Sequence, residues 1–185
     1  MDNKGAMMKT SQKWWEETKN DEAKLNRWLQ RQYVGEFAAV NLLSEILLRF
    51  GSEMTHRDRH NVFRVMTQEA LHGSWMSELL TNRDLQPETD GVATQRYWAE
   101  VLPNVNSFKD AMQAAMQAES MRLHRIRAIA ADEEAPEDIR RIFKAILPHE
   151  EWHERVFGEM KGDHYNETIA NDHEKGLGAL SLVLA

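Results

Sequence analysis

Four long stretches of this chain each carry an apolar stripe at helical spacing, and each stripe is interrupted by a glutamate. In two of them a histidine follows the glutamate three residues later, on the same helical face. The first stripe is Leu29, Tyr33, Glu36, Val40, Leu43, Leu47 and Phe50, and the second is Val62, Val65, Glu69, His72, Met76 and Leu79. The third is Phe108, Met112, Ala115, Glu119, Leu123, Ile126 and Ala130, and the fourth is Ile139, Phe143, Ile146, Glu150, His153, Phe157 and Met160. Apolar stripes of this kind bury one face of a helix against other helices, so the six polar side chains are expected inside the core.

Helix formers dominate, Gly and Pro are few, and no alternating β-branched run appears, so the reading is all-α. A short helix is expected over Trp14–Leu25, followed by long helices over about Asn26–Phe50 and Thr55–Asn82, the first stopping at Gly51. Arg83–Gly91, with turn formers Pro87, Asp90 and Gly91, and a short piece around Gln95–Leu102 closed by Pro103 make a long crossover. A third long helix is expected over Asn106–Ala131 and a fourth to about Lys161, with Pro136 at its first position and a kink or bulge at Pro148. A last short helix over Tyr165–Lys175 precedes Gly176. The expected division is an N-terminal extension over 1–25, a helical bundle over 26–161, and a C-terminal helix with an apolar tail over 162–185. The tail, Leu177–Ala185, is expected to dock on the bundle or on a second subunit.

The depths match. Glu36 lies 14 residues before Phe50 and Glu69 lies 14 after Thr55, so in an antiparallel hairpin both sit about 21 Å from the turn. Glu119 and Glu150 fall symmetrically about the turn near Glu134 in the same way. Four buried carboxylates repel one another and must be neutralised by protons, by Arg122 or Arg127, or by metal. Two divalent cations would neutralise all four, and the imidazoles complete a nitrogen and oxygen donor set that suits iron or manganese. The alternative is a buried polar network that only specifies helix register.

These residues resemble the ferritin-like di-iron carboxylate superfamily, most nearly its rubrerythrin-type helical domain, over about Asn26–Lys161. The resemblance lies in Gly35-Glu36 with Ala39, in Glu69-Ala-Leu-His72, in Glu119 after an Ala-rich run, and in Glu150-Glu-Trp-His153 with Phe157. It implies a ferritin-like four-helix bundle, two antiparallel hairpins joined by the crossover. It further implies that Glu36 and Glu119 are terminal carboxylates, that Glu69 and Glu150 bridge, and that His72 and His153 each bind one of two iron ions. Dioxygen or peroxide would then be a reactant, with a small-molecule substrate and an external electron donor. Two departures stand out: Arg122 occupies the place of a further glutamate, and the chain has no cysteine for a rubredoxin module.

Other polar residues have simpler readings. Glu53 and His56 repeat the spacing but sit at a helix start and are read as a solvated terminus. His124 points off its stripe and is read as a surface or interface residue, whereas His149 and Glu151 flank the ligand pair and are read as solvated or supporting the ligands. Tyr33, one turn from Glu36, is a core tyrosine or a hydrogen-bond donor and one-electron participant near the metal.

A net charge of −7 without a Lys/Arg block, the basic stretch Met121–Arg127 being too short, argues against nucleic acid. The absence of cysteine excludes thiolate chemistry. A polar N-terminus and the lack of a long apolar run lead to the expectation of a cytoplasmic, non-membrane protein, and a homodimer is the preferred assembly. The function expected is a di-iron oxidoreductase, an oxidase, hydroxylase or peroxidase. The alternatives are a ferroxidase serving iron handling and a metal-free interaction module.

Overall fold

The computed structural model describes residues 3–89 and 96–181, and among these all regular structure is helical. Seven α-helices run in the order α1 Asn3–Lys19, α2 Glu22–Phe50, α3 His56–Thr81, α4 Arg96–Val101, α5 Phe108–Ala131, α6 Glu137–Lys161 and α7 Glu167–Ser181. No helix among the described residues is long and apolar enough to cross a membrane.

The long helices begin where side chains satisfy their free N–H groups. Asp21 accepts from the Lys24 amide, Thr55 and Asp58 form a reciprocal capping box, and Ser107 accepts from the Asp110 amide. The break between α1 and α2 therefore falls at Asn20 and Asp21, not inside a helix over Trp14–Leu25, because Asp21 is a strong cap. Likewise α5 starts at Phe108 rather than Asn106, since Ser107 caps it. Pro136 sits one position earlier than expected, at the N-cap of α6.

Helix α2 does stop at Gly51, but Gly51 keeps right-handed angles (φ −59°, ψ −27°) and opens a one-turn 3-10 helix, Gly51–Glu53. Gly162, which ends α6, has φ +62° and needs the freedom of glycine. Helix α6 continues through Pro148 with no bulge. Pro148 is on the exposed face, where water can take the carbonyl that the missing N–H leaves free. The turn formers Asp90 and Gly91 and the end of the apolar tail, residues 182–185, lie outside the described residues.

Helices α2 and α3 pack as one hairpin and α5 and α6 as another, with α3 against α6 and α2 against α5. Helix α1 lies along α5 and α2, while α7 packs on α4 and α5. The apolar interior is divided in two. One cluster holds Leu43, Phe50, Val62, Val65, Phe108, Met112, Val156 and Phe157, joined by Tyr97 and Val101 of α4 and Ile169 of α7. The other holds Trp14, Trp15, Trp28, Leu29, Met76, Leu79, Ile126, Ile139 and Phe143. On every long helix the interrupting glutamate falls between the residues of these two clusters, so the polar side chains form a layer across the middle of the interior.

Candidate metal centre

The layer contains all six side chains singled out by the stripes. Glu36, Glu69, His72, Glu119, Glu150 and His153 are buried, each with at most 6 % of its surface exposed. They form two overlapping groups whose donor atoms lie within 4.8 Å of one another: Glu36, Glu69, His72 and Glu150, and Glu69, Glu119, Glu150 and His153. Glu69 and Glu150 belong to both groups. Each group adds one further glutamate and one histidine, and either could hold a metal ion.

Both imidazoles turn the same atom inward. His72 Nδ1 lies 3.2 Å from Glu150 Oε1, 3.6 Å from Glu36 Oε2 and 3.7 Å from Glu69 Oε2. His153 Nδ1 lies 3.2 Å from Glu69 Oε1 and 3.6 Å from Glu150 Oε2. The outward nitrogens are held from behind: His153 Nε2 is 2.9 Å from Gln68 Oε1, and His72 Nε2 is 2.9 Å from His149 Nδ1. An amide oxygen only accepts, so His153 carries a proton on Nε2, which leaves its Nδ1 free to offer a lone pair to the layer.

Inside the layer, both carboxylate oxygens of Glu69 and of Glu150, Oε2 of Glu36 and of Glu119, and both Nδ1 atoms have no hydrogen-bond partner. Buried polar atoms are rarely left this way, and here they converge from four helices on two adjacent points. Carboxylate and imidazole donors in that ratio fit a pair of divalent cations.

The electrostatics divide the carboxyls into two kinds. Burial raises Glu36 to about 7 despite the charge of Arg122, and burial together with Glu150 raises Glu119 well above the usual range. Burial acts the same way on Glu69 and Glu150, but the adjoining imidazoles and Arg122 outweigh it and hold both below the usual carboxylate range. The surroundings thus favour ionisation of the shared pair and oppose it for the unshared pair. Burial opposes a charged His72, yet the three carboxylates around it raise it to about 11.

Arg122 belongs to this layer. Its Nη2 donates to Glu36 Oε1 at 2.7 Å and lies 3.5 Å from Glu150 Oε1, and its Nη1 is 3.5 Å from Glu119 Oε2. Arg127, expected as another partner of the buried acids, instead forks onto the exposed Glu151. His124 is buried, 6 % exposed, and not on the surface. Glu53 is more than a solvated terminus: its Oε2 accepts from the Phe108 amide and so ties the α2–α3 turn to the start of α5. His56 is exposed.

Tyr33 is half-buried and lines a groove beside Glu36. Gln68 was not legible as a support, whereas of the two readings of His149 its contact with His72 favours the supporting one. Gln68 precedes a ligand-type glutamate and sits one turn before His72, but only the packing of α3 against α6 turns it toward His153. No family model, curated protein or solved structure matches this chain.

Proposed function

We propose that this chain is a ferritin-like four-helix-bundle protein holding two metal ions, most economically iron, and that it is an oxidoreductase using dioxygen or peroxide. The observation carrying this reading is the convergence of unpartnered Nδ1 and carboxylate atoms in two overlapping groups that share Glu69 and Glu150. Glu36 with His72, and Glu119 with His153, would complete the two sets. A redox-active metal pair would supply electron-transfer chemistry to this cysteine-free chain.

The protein's own contribution is geometric and electrostatic. Gln68 and His149 hold the imidazoles in orientation, Arg122 steadies the negative layer from the Glu36 side, and two apolar clusters exclude bulk water above and below. A small apolar cavity of about 30 Å³, lined by Ala39, Leu43, Ala115 and Phe157, reaches Glu69 and Glu119. A void of that size and polarity suits a diatomic gas.

The test is metal content of the chain purified from iron-supplemented cells, with an optical spectrum of the reduced protein before and after oxygen. Near two metals per chain and an oxygen-dependent near-ultraviolet change support the reading. No metal after anaerobic Fe(II) loading would sink it.

The second reading is a metal-free network that sets helix register. Arg122 favours it, since one guanidinium contacts three of the four buried glutamates and offsets part of their negative charge. It requires that Mn(II) or Fe(II) leave the melting temperature unchanged, whereas native-state metal binding raises it.

A further inference from the structure

Between α2 and α3 runs an open groove of about 650 Å³, and its floor includes Glu36 and Glu69. It follows α3 from Glu69 to Asn82, thirteen residues apart, which is about 20 Å of helix. Its volume lies in the range of small-molecule sites, and its shape is that of an extended chain rather than a compact ring system. The two walls differ in chemistry. Tyr33, Phe37 and Val40 of α2 make one wall apolar, and Phe37 is left 45 % exposed beside it. Ser74, Ser77 and Glu78 of α3 make the other polar.

Among the residues lining the groove there is no lysine or arginine, while Glu36, Glu69 and Glu78 are all acids. Glu36 is paired with Arg122 and lies with Glu69 in the buried layer, so the acid that a ligand in the groove meets is the exposed Glu78, which attracts a cation and repels an anion. Gly73 faces the groove at the level of the buried layer, where an added Cβ would come within 3.7 Å of Glu36 Cβ. A side chain there would stand in the passage between the groove and Glu36.

We propose that this groove binds a linear aliphatic amine, with its chain along Tyr33, Phe37 and Val40 and its ammonium group toward Glu78, so that the carbon chain leads to Glu36 and Glu69. The groove is the substrate site of the metal centre, and in that respect the proposal rests on the preceding functional reading. Binding itself needs only the walls and their charge, so it can be tested apart from the metal.

The probes are octylamine, octanol and octanoate, titrated calorimetrically into the 185-residue chain as purified. Octylamine is expected to bind at least about tenfold more tightly than octanoate. Glu78→Gln should erase most of that preference. Gly73→Leu should abolish binding of all three probes while Mn(II) binding, titrated on the same sample, persists. Ser74→Leu narrows the same wall and serves if Gly73→Leu fails to fold by circular dichroism. Octanoate binding as tightly as octylamine overturns the charge argument, and undiminished binding in the plugged variants overturns the location. The absence of binding by any probe overturns the proposal and leaves the metal reading standing. Amine binding to a chain that takes up no Mn(II) overturns the metal reading instead and leaves the groove.

Discussion

Arg122 on α5 donates through Nη2 to Oε1 of Glu36 on α2 at 2.7 Å, the shortest cationic contact in the buried layer. It is also one of few direct links between these two helices, which touch only sparingly. The Glu36 side chain is 3 % exposed and that of Arg122 is 22 % exposed, so water screens the pair only from the guanidinium side. Arg122→Met should therefore destabilise the metal-free protein by about 2–4 kcal/mol, because Glu36 keeps its burial and loses its nearest cation. Urea denaturation with and without Mn(II) measures this. A variant as stable as the parent without metal would show that the pair contributes nothing to the fold.

Metal should stabilise the native state. At a free concentration one hundred times the dissociation constant the gain is about 2.7 kcal/mol, which for a chain of this size raises Tm by about 5–10 °C. Chelation should reverse the shift. Glu150→Ala, which removes a carboxylate common to both donor groups, should abolish it, as read by differential scanning calorimetry.

Asp132 fastens helix α1 to the end of α5. Asp132 accepts from the Trp15 indole at 2.8 Å and from the Lys19 ammonium at 2.9 Å, and the Trp15 ring packs with Trp14 and Trp28. Trp15→Ala should cost about 3–5 kcal/mol by opening a cavity in that cluster. Proteolysis should then cut within α1 first, while metal stoichiometry stays that of the parent, since no α1 residue belongs to the donor groups.

Asp110 predicts an acid-sensitive joint. Burial works to raise its carboxyl, but hydrogen bonds from Asn166, His164 and the Asn106 amide outweigh it and hold it below the usual range. With the folded value below the unfolded value of about 3.9, its contribution is present above that pH and is lost as pH falls through the folded value. Asp110→Asn should cost about 1–3 kcal/mol at pH 7, and the difference from the parent should shrink progressively below about pH 4. Denaturation curves over that range test the sign.

Much of the site was legible because helical periodicity is a local property. The spacing of Glu36, Glu69, His72, Glu119, Glu150 and His153 within apolar stripes puts each on a buried face whatever the neighbours are, and equal distances from the turns make them level. Partner choice is not local. Arg122 and Arg127 lie five residues apart on one helix and are indistinguishable by composition. Yet one reaches the buried layer and the other the exposed Glu151, because only the docking of α5 against α2 and α6 decides which faces inward.

The sequence by itself determined that the chain is helical, where the polar residues interrupt its apolar faces, and that those residues fall at one depth. These follow from intrinsic propensity and from the 3.6-residue repeat. The tertiary structure alone decided that Asp21 splits the N-terminal helices, that His124 is covered, and that Gln68 and His149 stand behind the two imidazoles. It also decided that a groove between α2 and α3 opens beside Glu36 with no basic residue among those lining it. Each of these depends on the distance and rotation between helices far apart in the chain, which packing of side chains sets and no local repeat encodes.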